Sequence, residues 1–319
     1  MTRVAVVDLG TNSTRLLVAD VEDGLVREVD RRLTITRLGE GVDERGLLLP
    51  TAVARVRNVL AEYRRALEAS GAERTLAVAT SAVRDAENGE AFLGEVEWSY
   101  GFVSRLLSGE DEARLTFRGV SAGRDVAEGT LVVDVGGGST ELVLGGPSGI
   151  TWHESLDLGC VRLTERFLRS DPPAPDELEA CRRHVRALLA DRMPADVRPT
   201  RVIGVAGTVT TLAVLSLGLD EEDPELVDGH RMSSTWIAGQ VERLAALPVE
   251  EIRELRGMHP ERAPVILAGA IVVAETLGHA GLDELETSEQ DIMHGAALAA
   301  AELPERPEGD APPGAYTCC

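Results

Sequence analysis

Two short segments of the chain share an arrangement of residues that can bind phosphate. Val6–Leu16 reads VVDLGTNSTRL, and Val132–Leu142 reads VVDVGGGSTEL. In each segment an aspartate, Asp8 or Asp134, ends an apolar run and is followed by a turn of small and hydroxyl residues. Such a turn presents backbone N–H groups to a phosphate, and an aspartate can hold a magnesium ion. The repeat predicts two related halves that each begin with a β-hairpin and together clamp a phosphate chain.

The residues of the two turns are the first candidates for phosphate contacts. They are Asn12 and Ser13 in the first segment, and Gly136, Gly137, Gly138 and Ser139 in the second. A glycine run lets the backbone approach a ligand more closely than residues with a Cβ atom do. For one copy alone, an ordinary hairpin turn explains the pattern equally well. The recurrence of the loop in both halves favours the phosphate site.

Four acidic residues near these segments are candidates for catalysis, and each has a structural alternative. Glu141 follows Asp134 on the returning strand, where a charged side chain is usually solvated. Glu110, Asp111 and Glu112 open a predicted helix, where the helix dipole alone favours acids. The functional interpretation is that one of the three is a general base for attack of water on phosphorus. Their spacing does not choose among them.

Two loops that join a strand to a helix have the composition of anion sites. In the first, Thr80 and Ser81 precede Arg84, and hydroxyls at a helix start together with an arginine bind anions. An ordinary N-cap with a local ion pair of Arg84 explains the same residues. The second loop contains Gly207 and Thr208 and has the same chemical character.

The elements that must position these residues follow from hydrophobic spacing and stop signals. Val53, Val56 and Leu60 recur at helical spacing and predict a helix over 51–70 that ends at Gly71. Apolar runs predict strands at 3–8, 15–20, 75–79, 130–134, 140–144 and 201–205, and further helices are expected at 110–120, 175–191 and 263–277. Residues 303–319 are rich in proline and predict a disordered tail.

Composition narrows the class of protein. A length of 319 residues favours two domains. No apolar run approaches the roughly 18 residues of a membrane span, and the N-terminus has no signal-peptide pattern. The four cysteines, Cys160, Cys181, Cys318 and Cys319, lack metal-ligand spacing, so a reducing cytoplasm is expected. A net charge of −22 disfavours nucleic acid and anionic membrane as partners. A polyanionic substrate would need a local pocket of arginine and amide groups together with a divalent cation.

Six motifs together resemble the exopolyphosphatase/guanosine pentaphosphate phosphohydrolase (Ppx/GppA) family. They read DLGTNSTRL, ATSAVRDAENG, SGEDEARLTFRGV, VVDVGGGSTELV, LDLGCVRLTERF and GVAGTVTTLA, in this order along nearly the whole chain. The paired hairpins resemble, more broadly, the actin-like ATPase superfamily. The resemblance implies an α/β fold with two ribonuclease-H-like domains and an interdomain cleft. We expect a short bacterial member with domains at 1–123 and 124–302 and the tail at 303–319.

The resemblance also implies roles for single residues. Glu112 is the expected catalytic base, Glu141 is a second catalytic residue, and Arg84 binds phosphate. The residues expected around the metal and its water are Asp8, Asp134 and Glu141. The expected metal is Mg²⁺, with Mn²⁺ as a substitute and a monovalent cation such as K⁺ as an addition.

One family element departs from its usual form. The serine–acid–Gly-x-Arg-Glu-Gly element reads SEQDIMHG at Ser288–Gly295, so its arginine is missing. This substitution leaves open how the far end of the substrate is contacted, while the phosphate-binding residues are intact.

The expected reaction is magnesium-assisted attack of water that releases terminal orthophosphate from inorganic polyphosphate, by a cytoplasmic enzyme that can form a homodimer. The first alternative is the same reaction on a phosphorylated guanosine nucleotide or a nucleoside di- or triphosphate, although no purine pocket is evident. The second is a kinase of the same superfamily. The third is a binding module that only senses polyphosphate or an alarmone. The presence of Glu112, Glu141 and both aspartates, Asp8 and Asp134, disfavours it, because a pure binder needs no base.

Overall fold

The computed structural model describes residues 1–122 and 124–304, which form two compact α/β units. The first unit contains Met1–Arg124 and the described residues from Ile292 onward, and the second contains Asp125–Asp291. These units differ from the expected ranges of 1–123 and 124–302 chiefly at the last helix, which packs in the first unit. Most of the expected tail, residues 305–319, lies outside the described residues.

The first unit is a five-stranded mixed sheet with an apolar cluster on each face. Its strands are β1 (Thr2–Leu9), β2 (Ser13–Glu22), β3 (Leu25–Ile35), β4 (Arg74–Ala79) and β5 (Val103–Leu106), and its first helices are α1 (Val42–Arg45), α2 (Pro50–Ser70), α3 (Ser81–Asp85), α4 (Gly89–Tyr100) and α5 (Gly109–Ser121). The strand order is β3-β2-β1-β4-β5. Alternate residues of β1 explain the two clusters, because Val4 and Val6 enter one while Ala5 and Val7 enter the other.

The second unit is a six-stranded sheet with the order β10-β11-β9-β6-β7-β8. Its strands are β6 (Thr130–Val135), β7 (Thr140–Gly146), β8 (Gly149–Leu156), β9 (Arg201–Val205), β10 (Arg231–Ser233) and β11 (Glu284–Thr287). Its helices are α6 (Cys160–Phe167), α7 (Pro175–Arg192), α8 (Ala206–Leu217), α9 (Pro224–Val227), α10 (Ser234–Ala245), α11 (Val249–Arg253) and α12 (Ala263–Ala280).

The two sheets share a topology that confirms the internal repeat. In the first, β1 pairs antiparallel with β2 and parallel with β4, and β2 pairs antiparallel with β3. In the second, β6 pairs in the same senses with β7 and β9, and β7 pairs antiparallel with β8. Each half therefore begins with the predicted hairpin, and Asp8 and Asp134 occupy equivalent positions near the end of its first strand.

Helix α12 corrects one expectation about apolar segments. Its 18 residues have the length and composition of a membrane span, although the sequence predicted a shorter helix and no apolar run of that length. Of the 18 residues of this helix, 67% are buried within the protein, and residues such as Ile266, Ala270 and Val273 belong to the apolar core of the second unit. The core of a soluble protein can contain such a helix, so its composition alone is weak grounds for a membrane span.

The last helix, α13 (Ile292–Ala301), packs against the first sheet and α5. Gly295 makes this approach possible, because a Cβ atom at this position would lie 1.9 Å from the carbonyl oxygen of Leu115 in α5. Met293, at the position of the missing family arginine, is 3% exposed and belongs to an apolar cluster. The substitution therefore places an apolar side chain in an apolar environment.

Candidate active site

The first hairpin places Asp8 directly opposite Arg15 in register. Arg15 Nε donates to Asp8 Oδ2 at 2.9 Å, and Arg15 Nη2 lies 2.8 Å from the same oxygen. Asp8 is only 4% exposed, so the ion pair offsets the loss of water around a buried carboxylate. The structure thus gives the predicted metal ligand an arginine partner that the sequence analysis left out.

The turn of this hairpin directs its carbonyl groups into the protein. The Gly10 amide donates to the Ser13 carbonyl at 3.0 Å, and the carbonyls of Thr11 and Asn12 accept hydrogen bonds from residues 36–39. Within residues 1–122 and 124–304, the amides of Thr11 and Asn12 donate no hydrogen bond. A turn of this kind offers its amides to an anion.

Arg84 in α3 and Glu112 in α5 form an ion pair. The Nη1 atom of Arg84 donates to Glu112 Oε1 and, at 2.9 Å, to the carbonyl of Leu107. The Glu112 side chain is 6% exposed and that of Arg84 is 27% exposed. Thr80 occupies the N-cap position before Arg84, but its side chain makes no capping bond. Thr80 therefore does not cap α3, whereas the local ion pair of the alternative interpretation is present, because Arg84 Nε lies 4.0 Å from Asp85 Oδ1.

The three acidic residues at the start of α5 lie in different environments. Glu110 is exposed and pairs with Arg114 one turn later. Asp111 forms a capping box with Ser108, in which its carboxylate accepts from the Ser108 amide at 3.2 Å while its own amide donates to Ser108 Oγ at 3.1 Å; the carboxylate also accepts from that hydroxyl at 2.6 Å. These hydrogen bonds hold the pKa of Asp111 below its usual range. Only Glu112 is buried, which distinguishes it from its neighbours in a way that spacing did not.

The second hairpin places Asp134 directly opposite Glu141 in register. These residues are 7% and 3% exposed, and Ser155 Oγ in β8 donates to Glu141 Oε1 at 2.9 Å. Glu141 is therefore not the solvated strand residue of the alternative interpretation. Two carboxylates at directly opposite positions of an antiparallel pair repel each other. A divalent cation that keeps most of its waters and binds one or two carboxylates suits this pair.

No larger acidic cluster accompanies this pair in the described ranges. Among those residues, no group of three or more His, Cys, Asp or Glu side chains could hold a metal ion. Asp8, the third predicted ligand, belongs to the other unit.

Helix α6 braces the glycine run of the second hairpin. Its first amides donate to the carbonyls of Gly136 and Gly137 at 2.9 to 3.2 Å, and Arg162 Nε donates to the Gly138 carbonyl at 2.8 Å. The orphan amides of the helix start are thereby satisfied. In the part of the chain that the structure describes, the amides of Gly137, Gly138 and Ser139 donate no hydrogen bond. These amides remain available to an anion.

Side chains of the same unit already form hydrogen bonds with the loop at Gly207 and Thr208. Arg262 Nη1 donates to the Gly207 carbonyl and, at 3.1 Å, to Thr211 Oγ1. Thr208 is 5% exposed and its hydroxyl engages the thiol of Cys160, whose pKa burial raises to about 11. The predicted phosphate contacts of this loop thus depend on its backbone more than on the Thr208 hydroxyl.

Sequence reasoning missed several residues whose side chains contact predicted site residues, among them Arg15, Ser155 and Arg262. The repeat contained the signal for Arg15, because Arg15 lies seven residues after Asp8 as Glu141 lies seven after Asp134. Nothing in the local sequence marks Ser155 or Arg262, whose partners lie 14 and 55 residues away.

Comparisons with known proteins show the family to which the chain belongs. A family described as the Ppx/GppA phosphatase family matches residues 17–302. Exopolyphosphatase 2 of Mycobacterium tuberculosis is 41% identical, over 94% of this chain and 99% of that protein.

Two solved structures extend the comparison to the fold. The Aquifex aeolicus member of the Ppx/GppA family is similar with a TM-score of 0.80 and 32% identity, over 94% of this chain and 97% of its own. An exopolyphosphatase from Cytophaga hutchinsonii is similar with a TM-score of 0.86 and 25% identity, over 93% and 97% of the two chains. The chain belongs to the Ppx/GppA phosphatase family.

Proposed function

We propose that this chain is an exopolyphosphatase that releases terminal orthophosphate from inorganic polyphosphate by attack of water. The observation that carries the proposal is the buried carboxylate of Glu112 in contact with the guanidinium of Arg84. A proton acceptor and an anion-binding group are what water attack on a phosphoanhydride requires of a protein. The similarity to exopolyphosphatase 2 of Mycobacterium tuberculosis supports polyphosphate as the substrate.

Glu112 is proposed to accept the proton of the attacking water, and Glu141 is the second candidate for this role. The neighbouring guanidinium of Arg84 stabilises the ionised carboxylate, which is the form that accepts a proton. A guanidinium carries five N–H donors, so Arg84 can bind a phosphate oxygen while it holds Glu112 in place.

Asp134 and Glu141 are proposed to hold Mg²⁺, with Mn²⁺ as a substitute and Asp8 as a further ligand candidate. A bound cation supplies the positive charge that a polyanion requires of a protein with a net charge of −22. The hydrogen bond from Ser155 fixes the orientation of Glu141, and such supporting contacts commonly tune metal affinity. A monovalent cation such as K⁺ is proposed as an additional activator.

The phosphate groups are proposed to be bound largely by backbone amides. The residues concerned are Asn12, Ser13, Gly136, Gly137, Gly138, Ser139, Gly207 and Thr208. Amides held in fixed turns cost little reorganisation when a phosphate binds, which favours them over mobile side chains. A cytoplasmic location fits the free, buried Cys160 and Cys181, and a homodimer is the proposed assembly.

Orthophosphate release with magnesium tests the proposal directly. The substrates are long polyphosphate, tripolyphosphate, guanosine pentaphosphate and ATP, without any phosphate acceptor. The proposal predicts the highest kcat/KM on polyphosphate and no turnover after the metal is stripped with EDTA. Preference for guanosine pentaphosphate would favour the nucleotide alternative, and release only with an added acceptor would favour a kinase.

A further inference from the structure

Arg37 has an unusual backbone conformation beside the first phosphate turn. It lies in the loop between β3 and α1, and its φ angle of +48° is in the left-handed region that glycine adopts most easily. A side chain at such a position lowers stability and persists only where the surroundings fix the backbone. Such strain is informative because it points to a role for the side chain that a glycine would not fulfil.

Contacts on two sides fix this loop. The amides of Thr36 and Arg37 donate to the Asn12 carbonyl at 3.0 and 2.8 Å. On the opposite side, Arg55 Nε donates to the Thr36 carbonyl at 2.6 Å, and its Nη2 donates to the Arg37 carbonyl at 3.1 Å. The backbone of Arg37 is therefore attached directly to the turn whose amides are available to an anion.

Gly39 brings the same loop against the helix that carries Arg84. A Cβ atom at Gly39 would lie 2.3 Å from Thr11 Cγ2 and 3.2 Å from Ala82 Cβ. Thr11 belongs to the phosphate turn and Ala82 belongs to α3, two residues before Arg84. The loop thus contacts both elements that contribute candidate phosphate-binding groups in the first unit.

The guanidinium of Arg37 differs from the other arginines of this region. Arg15, Arg55 and Arg84 all form ion pairs with acidic side chains. The Arg37 side chain is exposed and, in the described ranges 1–122 and 124–304, makes no hydrogen bond or ion pair. An uncompensated cation held at a strained position beside an anion-binding turn is suited to a ligand with several phosphates.

We propose that Arg37 binds a phosphate group of the substrate chain behind the terminal one, and so determines specificity for long polyanions. This inference rests on the proposed function. The chemistry is a charge-assisted hydrogen bond from the guanidinium to phosphate oxygens. A short substrate has few phosphate groups behind the terminal one for Arg37 to bind. The contribution of Arg37 to substrate binding should therefore grow with the length of the polyphosphate chain.

The test compares Arg37→Gly, Arg37→Gln and Arg37→Lys with the wild type. Arg37→Gly relieves the backbone strain and removes the charge, so it is expected to raise Tm while it raises KM for long polyphosphate on the order of tenfold. Arg37→Gln is expected to raise KM similarly, and Arg37→Lys is expected to retain much of the affinity. The expected kcat is unchanged, because the contact is not specific to the transition state.

Arg65→Gln is the matched control. Arg65 is likewise exposed and without a side-chain partner among the described residues, and it lies ten residues beyond Arg55 in α2, roughly 15 Å along the helix. Arg65→Gln changes the net charge of the protein by the same amount as Arg37→Gln, so the KM of Arg65→Gln should stay at the wild-type value. A rise of KM in both Arg37→Gln and Arg65→Gln would show a long-range charge effect and overturn the inference.

Binding is measured separately from turnover, by calorimetry with long polyphosphate in the Glu112→Gln background. Unchanged KM and Kd in Arg37→Gly and Arg37→Gln, in an enzyme that hydrolyses polyphosphate, overturn the inference and leave the proposed function standing. Binding that depends on Arg37 without hydrolysis by the wild type supports the inference and rejects the proposed function. Loss of stability in Arg37→Gly would indicate a structural role, and a wild type that neither binds nor hydrolyses polyphosphate rejects both proposals.

Discussion

The carboxylate of Glu112 lies against the guanidinium of Arg84, although 28 residues separate them in the sequence. Glu112 enters the contact from the first turn of α5, and Arg84 comes from α3. The carbonyl of Leu107 holds Arg84 from the side. The pair therefore links α3, which carries a candidate phosphate-binding residue, with α5, which carries the candidate base. The contribution of this contact to the stability of the protein and its contribution to enzymatic activity can be measured independently.

Removal of Arg84 is expected to affect folding as well as substrate binding. Arg84→Ala leaves the buried carboxylate of Glu112 without this partner and should lower the free energy of unfolding by about 2 kcal/mol. Urea unfolding of Arg84→Ala, Glu112→Gln and the double variant measures the interaction. We expect a coupling free energy of about 1–2 kcal/mol. Additive effects of the two substitutions would show that the contact contributes nothing to stability.

Gly295 is expected to be intolerant of even a methyl group. Gly295→Ala places a Cβ atom against the Leu115 carbonyl, and the clash with backbone should lower stability by about 1–3 kcal/mol. Because Leu115 follows Glu112 in α5, kcat should fall too. The matched control is Gly278→Ala, where no atom lies within 4 Å of the added Cβ. That substitution should stabilise its helix by up to about 1 kcal/mol, and equal effects at the two sites would contradict the packing of α13 on α5.

The capping box of α5 predicts a dependence of stability on pH. Hydrogen bonds from Ser108 lower the pKa of Asp111 below its ordinary value of 3.8. A depressed pKa in the folded state adds stability at pH values above 3.8, and that stability is lost as the pH falls through the folded-state pKa. Asp111→Asn should thus cost about 0.5–1 kcal/mol at pH 7, and this cost should shrink as the pH falls below 3.8. A cost that stays constant across this range, measured by urea unfolding, would contradict the assignment.

Elements with strong local patterns were predictable from the sequence. The helix expected at 51–70 is observed at Pro50–Ser70, and the strand at 201–205 is observed with the same limits. Strand β3 was missed because Leu25–Ile35 has charges on both faces and no apolar alternation, as an edge strand that is exposed over most of its length can have. The packing of α13 in the first unit was missed because no local signal specifies a long-range return of the chain.

The part of the candidate site that lies in the two repeated hairpin segments could be proposed from the sequence. Asp134 followed from the alignment of the two hairpins and Glu141 from the family resemblance, and the strand register places the two residues directly opposite each other. Spacing did not choose among the three acids of α5, the family resemblance implied Glu112, and the structure adds that only Glu112 of the three is buried, which depends on how the helix packs. Arg37 was not predictable, because neither a left-handed backbone angle nor a missing ion pair can be read from residue types.

The most direct test of the account is the kcat of Glu112→Gln on polyphosphate with magnesium, measured beside Glu110→Gln and Asp111→Asn. The amide keeps the size and most hydrogen bonding of Glu112 but cannot accept a proton, and a general base contributes about 10²–10⁴-fold. We predict that kcat falls by at least about a hundredfold in Glu112→Gln, with substrate binding retained, and changes little in the two neighbours. A kcat within about tenfold of wild type in Glu112→Gln, together with its loss in Glu141→Gln, would contradict the account and move the base to the second hairpin.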